Sequence, residues 1–318
     1  PMELHRALLV LGSCLCVAWA VRRYRRIDRL KNRAVLVTGC DSGLGRATAL
    51  ALNSLGLTVF AGCLTPQGEE SLQKERPSMR TFPLDITDAS SVNRAVTLIE
   101  QSGCGLWALV NNAGIGQSFL VEFTPLETYS SVMDVNFFGT IRMIKAFLPL
   151  LKASKGRIVN VASFLGRTST FGMSAYSSSK YAVEAFSDSL RQELKPWGIR
   201  VIISEPGTMK TPMVAGTGSM MARLYASAPD EVQKDWGPQY LDLAERSASI
   251  MNVLARDVHS FVPAIVHGVT AYYPKSRYLD GVDAIIFGGL CPLLPTFLFD
   301  WITELVLPRP RPAGLKIH

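Results

Sequence analysis

The sequence has few histidines, and its cysteines are scattered. Its 318 residues include four histidines and six cysteines, none of them in a CxxC pair, and their spacing fits no zinc pattern. We therefore expect neither a zinc-dependent enzyme nor any other metal site. Unpaired thiols are typical of a reducing compartment. The absence of any Asn-x-Ser/Thr sequon favours a domain that does not face a glycosylating lumen.

Charge is also scarce, at 19% of the residues, and the net charge of +7 is concentrated in one place. Between Arg22 and Arg33 there are seven basic residues and one acidic residue. A protein that binds nucleic acid distributes its basic residues over a folded face. A basic cluster beside an apolar run indicates instead a flank next to a membrane, with no nucleic-acid partner.

The N-terminal apolar run is short for a membrane span. Residues 7–21 are 15 consecutive apolar or small residues, whereas a spanning helix needs about 20. Leu4 and a snorkelling Arg6 extend the run. Ala18-Trp19-Ala20 resembles a cleavage site, but cleaved signals carry their basic residues before the apolar run. We expect an uncleaved anchor and basic flank in residues 1–26, with the remaining chain on the cytosolic side.

From residue 33 onward, short apolar strands alternate with helical stretches. Strands without polar alternation, separated by helices, predict an α/β fold with a doubly wound parallel sheet covered on both faces. We expect one such domain over residues 33–280. The predicted strands are 34–38, 58–62, 80–84, 106–110, 156–162 and 199–204, and the predicted helices are 44–55, 89–101, 126–151 and 175–194.

The C-terminal part is less regular. Residues 216–262 look helical, and residues 285–307 are apolar but interrupted by Pro292 and Pro295. These prolines argue against a simple spanning helix. The segment 281–318 is therefore either an apolar extension that touches a bilayer or an ordinary helix that covers the core.

A glycine-rich turn joins the first strand to the first helix. Glycines there allow backbone N–H groups to approach a pyrophosphate at the helix N-terminus. The spacing is Gly-x3-Gly-x-Gly, and a turn of this kind alone is weak support for cofactor binding. The candidate cofactor residues of this turn are Gly39, Asp41, Ser42, Gly43, Leu44 and Gly45.

Two further segments end strands at the edge where a ligand is expected to lie. Asn112, Ala113 and Gly114 follow the fourth strand, and Asp85 ends the third, where it is placed to contact an adenine. Taken singly, each segment is equally consistent with a plain turn.

The strongest chemical signal is Tyr176-x3-Lys180 with Ser163 thirteen residues earlier. Residues four apart share one side of a helix, so the phenol and the ammonium point the same way. A nearby ammonium is expected to lower the phenol pKa from about 10 toward neutrality. That is suitable for a general acid/base, and Ser163 would hydrogen-bond the same substrate oxygen.

The sequence resembles the short-chain dehydrogenase/reductase family in its single-domain form. The resemblance depends on four motifs, in this order: the glycine turn, the segment after the fourth strand, Ser163 and the Tyr176-x3-Lys180 pair. The resemblance covers roughly residues 33–212 and implies hydride transfer between a nicotinamide and a carbinol carbon. It implies that Tyr176 is the acid/base, that Lys180 binds the nicotinamide ribose and that Ser163 orients the substrate oxygen. It also adds Asn136 as support for a proton-relay water. A segment that closes over the nicotinamide is implied at Pro206, Gly207, Thr208 and Thr211.

More narrowly, the TGCDSGLG, VNFFGT and RYLDGVDA segments resemble the retinol and hydroxysteroid dehydrogenases of the endoplasmic reticulum. The membrane-associated 3-hydroxybutyrate dehydrogenases resemble this chain in many of the same sequence segments. The resemblance implies a homodimer and an endoplasmic reticulum membrane location, with a mitochondrial membrane as the alternative.

The cofactor is expected to be NAD(H). A 2′-phosphate needs a basic partner in the glycine turn or just after the second strand, and residues 40–42 and 62–65 contain none. Asp41 would repel a phosphate. The acid that normally contacts the NAD ribose after the second strand is also missing, which is a departure from the family pattern.

The segment between Ser163 and Tyr176 lines the pocket in this family. Its apolar candidates are Phe164, Leu165, Phe171 and Met173. They suit an apolar alcohol such as a retinoid or steroid. A small hydroxy acid would need a cationic clamp, for which Arg167 is the local candidate. Two alternatives stay open: a 3-hydroxybutyrate dehydrogenase and a catalytically inactive binding protein on the same fold.

Overall fold

The computed structural model describes residues 25–306 and 309–315. Its centre is a parallel sheet of seven strands in the order β3-β2-β1-β4-β5-β6-β7. The strands are β1 (Ala34–Thr38), β2 (Thr58–Cys63), β3 (Arg80–Pro83), β4 (Ala108–Asn111), β5 (Arg157–Val161), β6 (Arg200–Pro206) and β7 (Arg277–Asp280). The chain is thus a single Rossmann-like α/β domain.

Helices lie on both faces of this sheet. The α-helices are α1 (Gly43–Ser54), α2 (Pro66–Glu75), α3 (Ala89–Gln101), α4 (Leu126–Met133), α5 (Thr140–Ser154), α6 (Ser174–Leu194), α7 (Pro212–Ala215), α8 (Thr217–Ser227), α9 (Asp230–Trp236), α10 (Gln239–Leu254), α11 (Val262–Thr270) and α12 (Thr296–Val306). The π-helical segment Asp134–Gly139 joins α4 to α5, and a second one, Ala284–Leu290, lies between β7 and the short 3₁₀ turn Cys291–Leu293.

Alternate strand residues enter two separate cores, because successive side chains of a strand point to opposite faces. Val35 and Val37 of β1 pack with α1 and α11, whereas Ala34 and Leu36 pack with α3, α5 and α6. Burial on both faces explains why the strands are continuously apolar.

Three features differ from the sequence-based expectation. The predicted helix 126–151 is interrupted by the π-helical segment Asp134–Gly139. Helix α2 was not predicted, and neither was β7, a four-residue strand whose pairing with β6 extends the sheet. The sequence of β7, Arg-Tyr-Leu-Asp, has no run of apolar residues to mark it, so its strand conformation depends on this pairing.

The strand order places a crevice at the carboxyl ends of β1 and β4. The chain runs from β1 outward to β3 and then returns to β4 on the other side of β1. In open α/β sheets, ligands bind at such a reversal point. The glycine turn after β1 and the Asn112–Gly114 segment after β4 therefore flank the same crevice.

In the described part of the chain, no helix is both long enough and apolar enough to span a bilayer. The predicted anchor in residues 1–26 lies almost wholly outside the described residues. The C-terminal extension contains the π-helical segment, a short turn at its prolines and α12.

Arg157, at the start of β5, is buried without a carboxylate partner among the described residues. Its guanidinium donates to the carbonyls of Gly268 at 2.8 Å and Ala271 at 2.5 Å, at the end of α11, and lies 5.0 Å from the Trp107 ring centroid. Burial, with Arg200 nearby, lowers the pKa of Arg157 to about 10. The charge is stabilised by the helix C-terminus.

We expect Arg157→Met to lower the free energy of unfolding by about 2 kcal/mol or more, because two buried carbonyls lose a charged donor. Urea unfolding followed by circular dichroism measures the change. Arg200→Met, at the exposed start of β6, is the control and should change stability by no more than about 0.5 kcal/mol. An equal loss of unfolding free energy in both variants would contradict the stabilising role of Arg157.

Candidate functional site

The glycine turn and the end of β4 are held together by hydrogen bonds. The Thr38 hydroxyl accepts from the backbone N–H groups of Asn112 and Ala113, at 3.0 and 2.9 Å. The Asn112 amide donates to the carbonyls of Thr38 and Gly39. These contacts fix the two walls of the crevice relative to each other.

Glycine is required in this turn for two physical reasons. Gly39 and Gly43 adopt positive φ values of 71° and 58°. A Cβ atom at Gly45 would lie 2.3 Å from the Gly39 carbonyl oxygen and 2.4 Å from the Asn112 amide nitrogen, so no side chain fits. Helix α1 starts at Gly43, and its first N–H groups form a site suited to a pyrophosphate. Thr211 lies against Gly43 from the other side.

The Asp41 carboxylate is hydrogen-bonded to the segment that follows β2. It accepts hydrogen bonds from the backbone of Leu64 and Thr65, each at 2.8 Å, and from the Thr65 hydroxyl at 2.7 Å. Burial alone would raise the pKa of Asp41, but these hydrogen bonds lower it below its ordinary value. A negative charge therefore lies at the end of β2, where the sequence has no acid of its own.

Asn136 lies in the π-helical segment Asp134–Gly139 and is buried. Its side-chain oxygen accepts from the Ile115 N–H at 2.8 Å, and its amide donates to the Ile115 carbonyl and the Ser179 hydroxyl, each at 2.9 Å. Asn136 thus connects the loop after β4 to helix α6. Single π-helical turns within α-helices occur frequently at functional sites.

Helix α6 places Tyr176 and Lys180 beside this loop. A Cβ at Gly114 would lie 3.1 Å from the Asn136 side-chain oxygen and 3.6 Å from Lys180 Nζ. A Cβ at Gly116 would lie 3.9 Å from the Tyr176 ring. Ser163, which follows β5, hydrogen-bonds to the Tyr176 phenol. The four predicted catalytic residues therefore meet at the crevice.

The ionisation of this pair differs from the sequence-based expectation. Burial raises the pKa of Tyr176 to about 12, although its hydrogen bond with Ser163 opposes the rise. Burial lowers the pKa of Lys180 to about 8, partly countered by Glu184. Lys180 Nζ lies 5.6 Å from the Tyr176 ring centroid and donates to the Val161 carbonyl at 3.0 Å. The Lys180 ammonium therefore does not lower the pKa of the Tyr176 phenol toward neutrality.

Three further predicted cofactor residues are hydrogen-bonded within the protein: Gly207, Thr208 and Asp85. The N–H of Gly207 donates to the Asp280 carbonyl at 2.8 Å, and that of Thr208 donates to the Asp283 carboxylate at 2.6 Å. The segment after Pro206 is therefore tied to the end of β7. Asp85 accepts from the Thr87 backbone and hydroxyl, so its carboxylate is engaged within its own loop.

The four apolar pocket candidates separate into two groups. Phe171 and Met173 pack against an aromatic and methionine cluster formed largely by α8 and α10, which includes Met220 and Tyr240. Phe164 packs against Gly288 of the C-terminal extension, and Leu165 is buried. The sequence predicts helices in residues 216–262, but nothing in it places them beside Phe171 and Met173.

Arg167 is fully engaged. Its guanidinium forms a two-pronged contact with the buried carboxylate of Glu205, with distances of 2.5 and 3.2 Å. The one local candidate for a carboxylate clamp on a small hydroxy acid is therefore committed to the protein itself.

Comparison with known proteins decides the family. The sequence profile of the short chain dehydrogenase family matches residues 33–222. The chain belongs to the short-chain dehydrogenase family. It is accordingly an oxidoreductase that uses a nicotinamide cofactor.

Relatives of this short-chain dehydrogenase include three kinds of enzyme. It is 39% identical to the mitochondrial D-beta-hydroxybutyrate dehydrogenase of Bos taurus, covering 86% of this chain and 84% of the relative. It is 37% identical to 17-beta-hydroxysteroid dehydrogenase type 6 of Bos taurus, covering 98% and 100%. It is 38% identical to human retinol dehydrogenase 5, covering 96% and 98%.

Two solved structures share its fold and 27% of its sequence. A short-chain dehydrogenase from Streptomyces avermitilis superposes with a TM-score of 0.69, covering 86% of this chain and 95% of the other. A short-chain dehydrogenase from Burkholderia cenocepacia, in complex with NADP, superposes with a TM-score of 0.63, covering 87% and 98%.

Proposed function

We propose that this dehydrogenase oxidises a primary or secondary alcohol of an apolar substrate, a retinoid or hydroxysteroid, with NAD⁺, and catalyses the reverse reduction. The observation that carries the proposal is the convergence of Asn136, Ser163, Tyr176 and Lys180 beside a crevice lined by glycine. The bound nicotinamide supplies the hydride acceptor for the carbinol carbon.

In this proposal, Tyr176 takes the proton of the substrate hydroxyl, and Ser163 hydrogen-bonds the same oxygen. Lys180 would hold the ribose hydroxyls and contribute positive charge beside the phenol. Asn136, through its contacts with Ile115 and Ser179, fixes the loop after β4 against α6 and would support a relay water. The segment that would cover the nicotinamide consists of Pro206, Gly207, Thr208 and Thr211, and Asp85 would lie on the adenine side.

The residues around the crevice fit NAD(H) better than NADP(H). The Asp41 carboxylate lies at the end of β2, where it can accept from ribose hydroxyls and would repel a 2′-phosphate. The nearest cation in sequence, Arg46, is engaged by Glu75 at 2.7 Å and Ser71 at 3.1 Å. Arg46 therefore offers no unpaired positive charge to a 2′-phosphate.

An apolar substrate is supported by the surroundings of Phe171 and Met173. They adjoin Phe119, Met220 and Tyr240, and the Arg309 guanidinium lies 4.9 Å from the centroid of the Phe171 ring. Because Arg167 is paired with Glu205, a carboxylate substrate would lack the clamp it needs at that position.

A screen with NAD⁺ across retinols, 3α- and 17β-hydroxysteroids and D-3-hydroxybutyrate tests the substrate class. We expect turnover of a retinol or a steroid, and Phe171→Ala should raise its KM by about tenfold through lost apolar contact. Turnover of hydroxybutyrate alone would identify the second candidate, which the 39% identical relative represents. NADH binding with no turnover of any alcohol would identify a binding protein.

We also propose a membrane location for this chain, in the endoplasmic reticulum with the catalytic domain toward the cytosol, or alternatively in a mitochondrial membrane. The anchor would be residues 1–26, with residues 33–280 as the catalytic domain and 281–318 as a membrane-proximal extension. Helix α12 supports this, since Phe297, Trp301 and Leu305 follow at intervals of four and are 58–75% exposed. A homodimer formed through the two long helices completes the proposal.

A further inference from the structure

Four chemically active side chains follow one ridge of helix α6. Tyr176, Lys180, Glu184 and Asp188 are spaced four residues apart, so each lies one turn from the next. The first two meet at the crevice. The last two continue the same ridge toward the other end of the helix, and the proposed reaction gives them no role.

Arg277 binds the carboxylates of both Glu184 and Asp188. Its guanidinium donates to Glu184 and, at 2.5 Å, to Asp188. It also donates to Glu205 of β6 at 2.9 Å. One side chain of β7 therefore joins two successive turns of α6 to the neighbouring strand.

This contact is partly buried. Glu205 is fully buried and Glu184 is 7% exposed, whereas the Asp188 side chain is 40% exposed, and Arg167 also donates to Glu205. Among the described residues, Glu184 Oε1 has no hydrogen-bond partner. An ion pair of this kind is weak support for stability, because desolvation offsets much of the attraction. Its geometry, however, holds the groups it joins in fixed positions.

The same ridge also contacts the loop that carries Ser163. A Cβ at Gly166 would lie 2.9 Å from the Glu184 side chain and 3.0 Å from the Lys180 carbonyl oxygen. Arg167, the next residue, is tied to Glu205. A shift of α6 would therefore move Tyr176 and Lys180 relative to Ser163.

We propose that Arg277 is a positioning residue for the reaction: by clamping Glu184 and Asp188 to Glu205, it fixes the height and rotation of α6, and so the placement of Tyr176 and Lys180 against Ser163. Arg277 lies outside residues 33–222, which match the family profile. The inference rests on the proposed function, because it assumes that Tyr176 and Lys180 carry the chemistry.

The first test compares Arg277→Met, Arg277→Lys and the control Arg191→Met. Arg191 pairs with Asp188 at 2.5 Å but with neither glutamate of the cluster. In folded protein we expect Arg277→Met to lower kcat by about tenfold to a hundredfold with the KM for NAD⁺ changed less than about twofold, since small displacements are costly in catalysis. Arg277→Lys should recover part of kcat, and Arg191→Met should leave it unchanged.

A second test uses Glu184→Ala, with Glu184→Gln as its conservative control. Alanine removes the carboxylate of α6 that Arg277 contacts, whereas the amide keeps an oxygen that can accept from the same guanidinium. Glu184→Ala should lower kcat by about tenfold with the KM for NAD⁺ changed less than about twofold, and Glu184→Gln should recover part of kcat.

Tyr176→Phe, measured first, separates the two claims. If Tyr176→Phe keeps full turnover, the proposed function fails and takes this inference with it. If Tyr176→Phe is inactive but a folded Arg277→Met keeps the wild-type kcat, only the positioning role is overturned. An equal loss in Arg191→Met would also overturn it. Should Arg277→Met not fold, Glu184→Ala decides, and an unchanged kcat in that variant would count against the proposal.

Discussion

Tyr176→Phe is expected to lower kcat for alcohol oxidation by about 10³-fold, in the middle of the range that general acid/base catalysis contributes. Phenylalanine keeps the ring and its packing on α6, so the protein should fold and bind NADH as before. The measurement is steady-state turnover combined with NADH fluorescence titration. Retained binding with lost turnover is the expected combination.

The pH dependence of the wild-type enzyme has a defined sign. Burial raises the pKa of Tyr176 to about 12, so the phenol of the free protein is protonated at neutral pH. Oxidation needs the deprotonated form and should accelerate as pH rises, whereas carbonyl reduction needs the protonated form and should slow. Phe171→Tyr, which adds a hydroxyl elsewhere in the pocket, should leave this profile in place. An oxidation rate that falls between pH 7 and 9 would contradict the role of Tyr176.

Asp41→Asn is expected to reduce the preference for NAD⁺ over NADP⁺, measured as the ratio of kcat/KM, by about tenfold to a hundredfold. Asparagine retains one oxygen, which can accept from either Leu64 or Thr65, but loses the charge that would repel a 2′-phosphate. The kinetic constants for both cofactors with the same alcohol give the ratio directly.

Glu70→Gln is the matched control for this substitution. Glu70 is an exposed carboxylate of α2, the helix that follows Thr65. Its loss should change the ratio less than about twofold, because solvent screens an exposed charge. A wild-type enzyme that prefers NADP⁺, or an Asp41→Asn enzyme with an unaltered ratio, would show that Asp41 does not set the cofactor preference.

Much of the site could be predicted because it is encoded by local patterns. The Gly-x3-Gly-x-Gly turn, the segment after β4 and the Tyr176-x3-Lys180 spacing each depend on a few neighbouring residues. A helix of 3.6 residues per turn brings Tyr176 and Lys180 to one side wherever it lies. The apolar strands likewise reveal a sheet buried on both faces, which the seven parallel strands confirm.

What was missed depends on contacts between distant parts of the chain. No acid follows β2 in the sequence, but the Asp41 carboxylate of the glycine turn lies there and accepts from Leu64, 23 residues later in the chain. The π-helical turn at Asn136 interrupts a sequence that is regular enough to predict one helix. Strand β7 carries no pattern of its own, and the ionisation of Tyr176 follows from burial that no spacing reveals.

The amino-acid sequence by itself therefore determined the fold class, and it predicted four residues that the structure places near one another, since short-range geometry and hydrophobic burial depend on adjacent residues. Only the tertiary structure decided which charges are free and which are committed. Arg167 is bound to Glu205, Arg277 joins three carboxylates, and Asp41 reaches the end of β2. The energy of a charge depends on what surrounds it in space, and that is set by segments far apart in the chain.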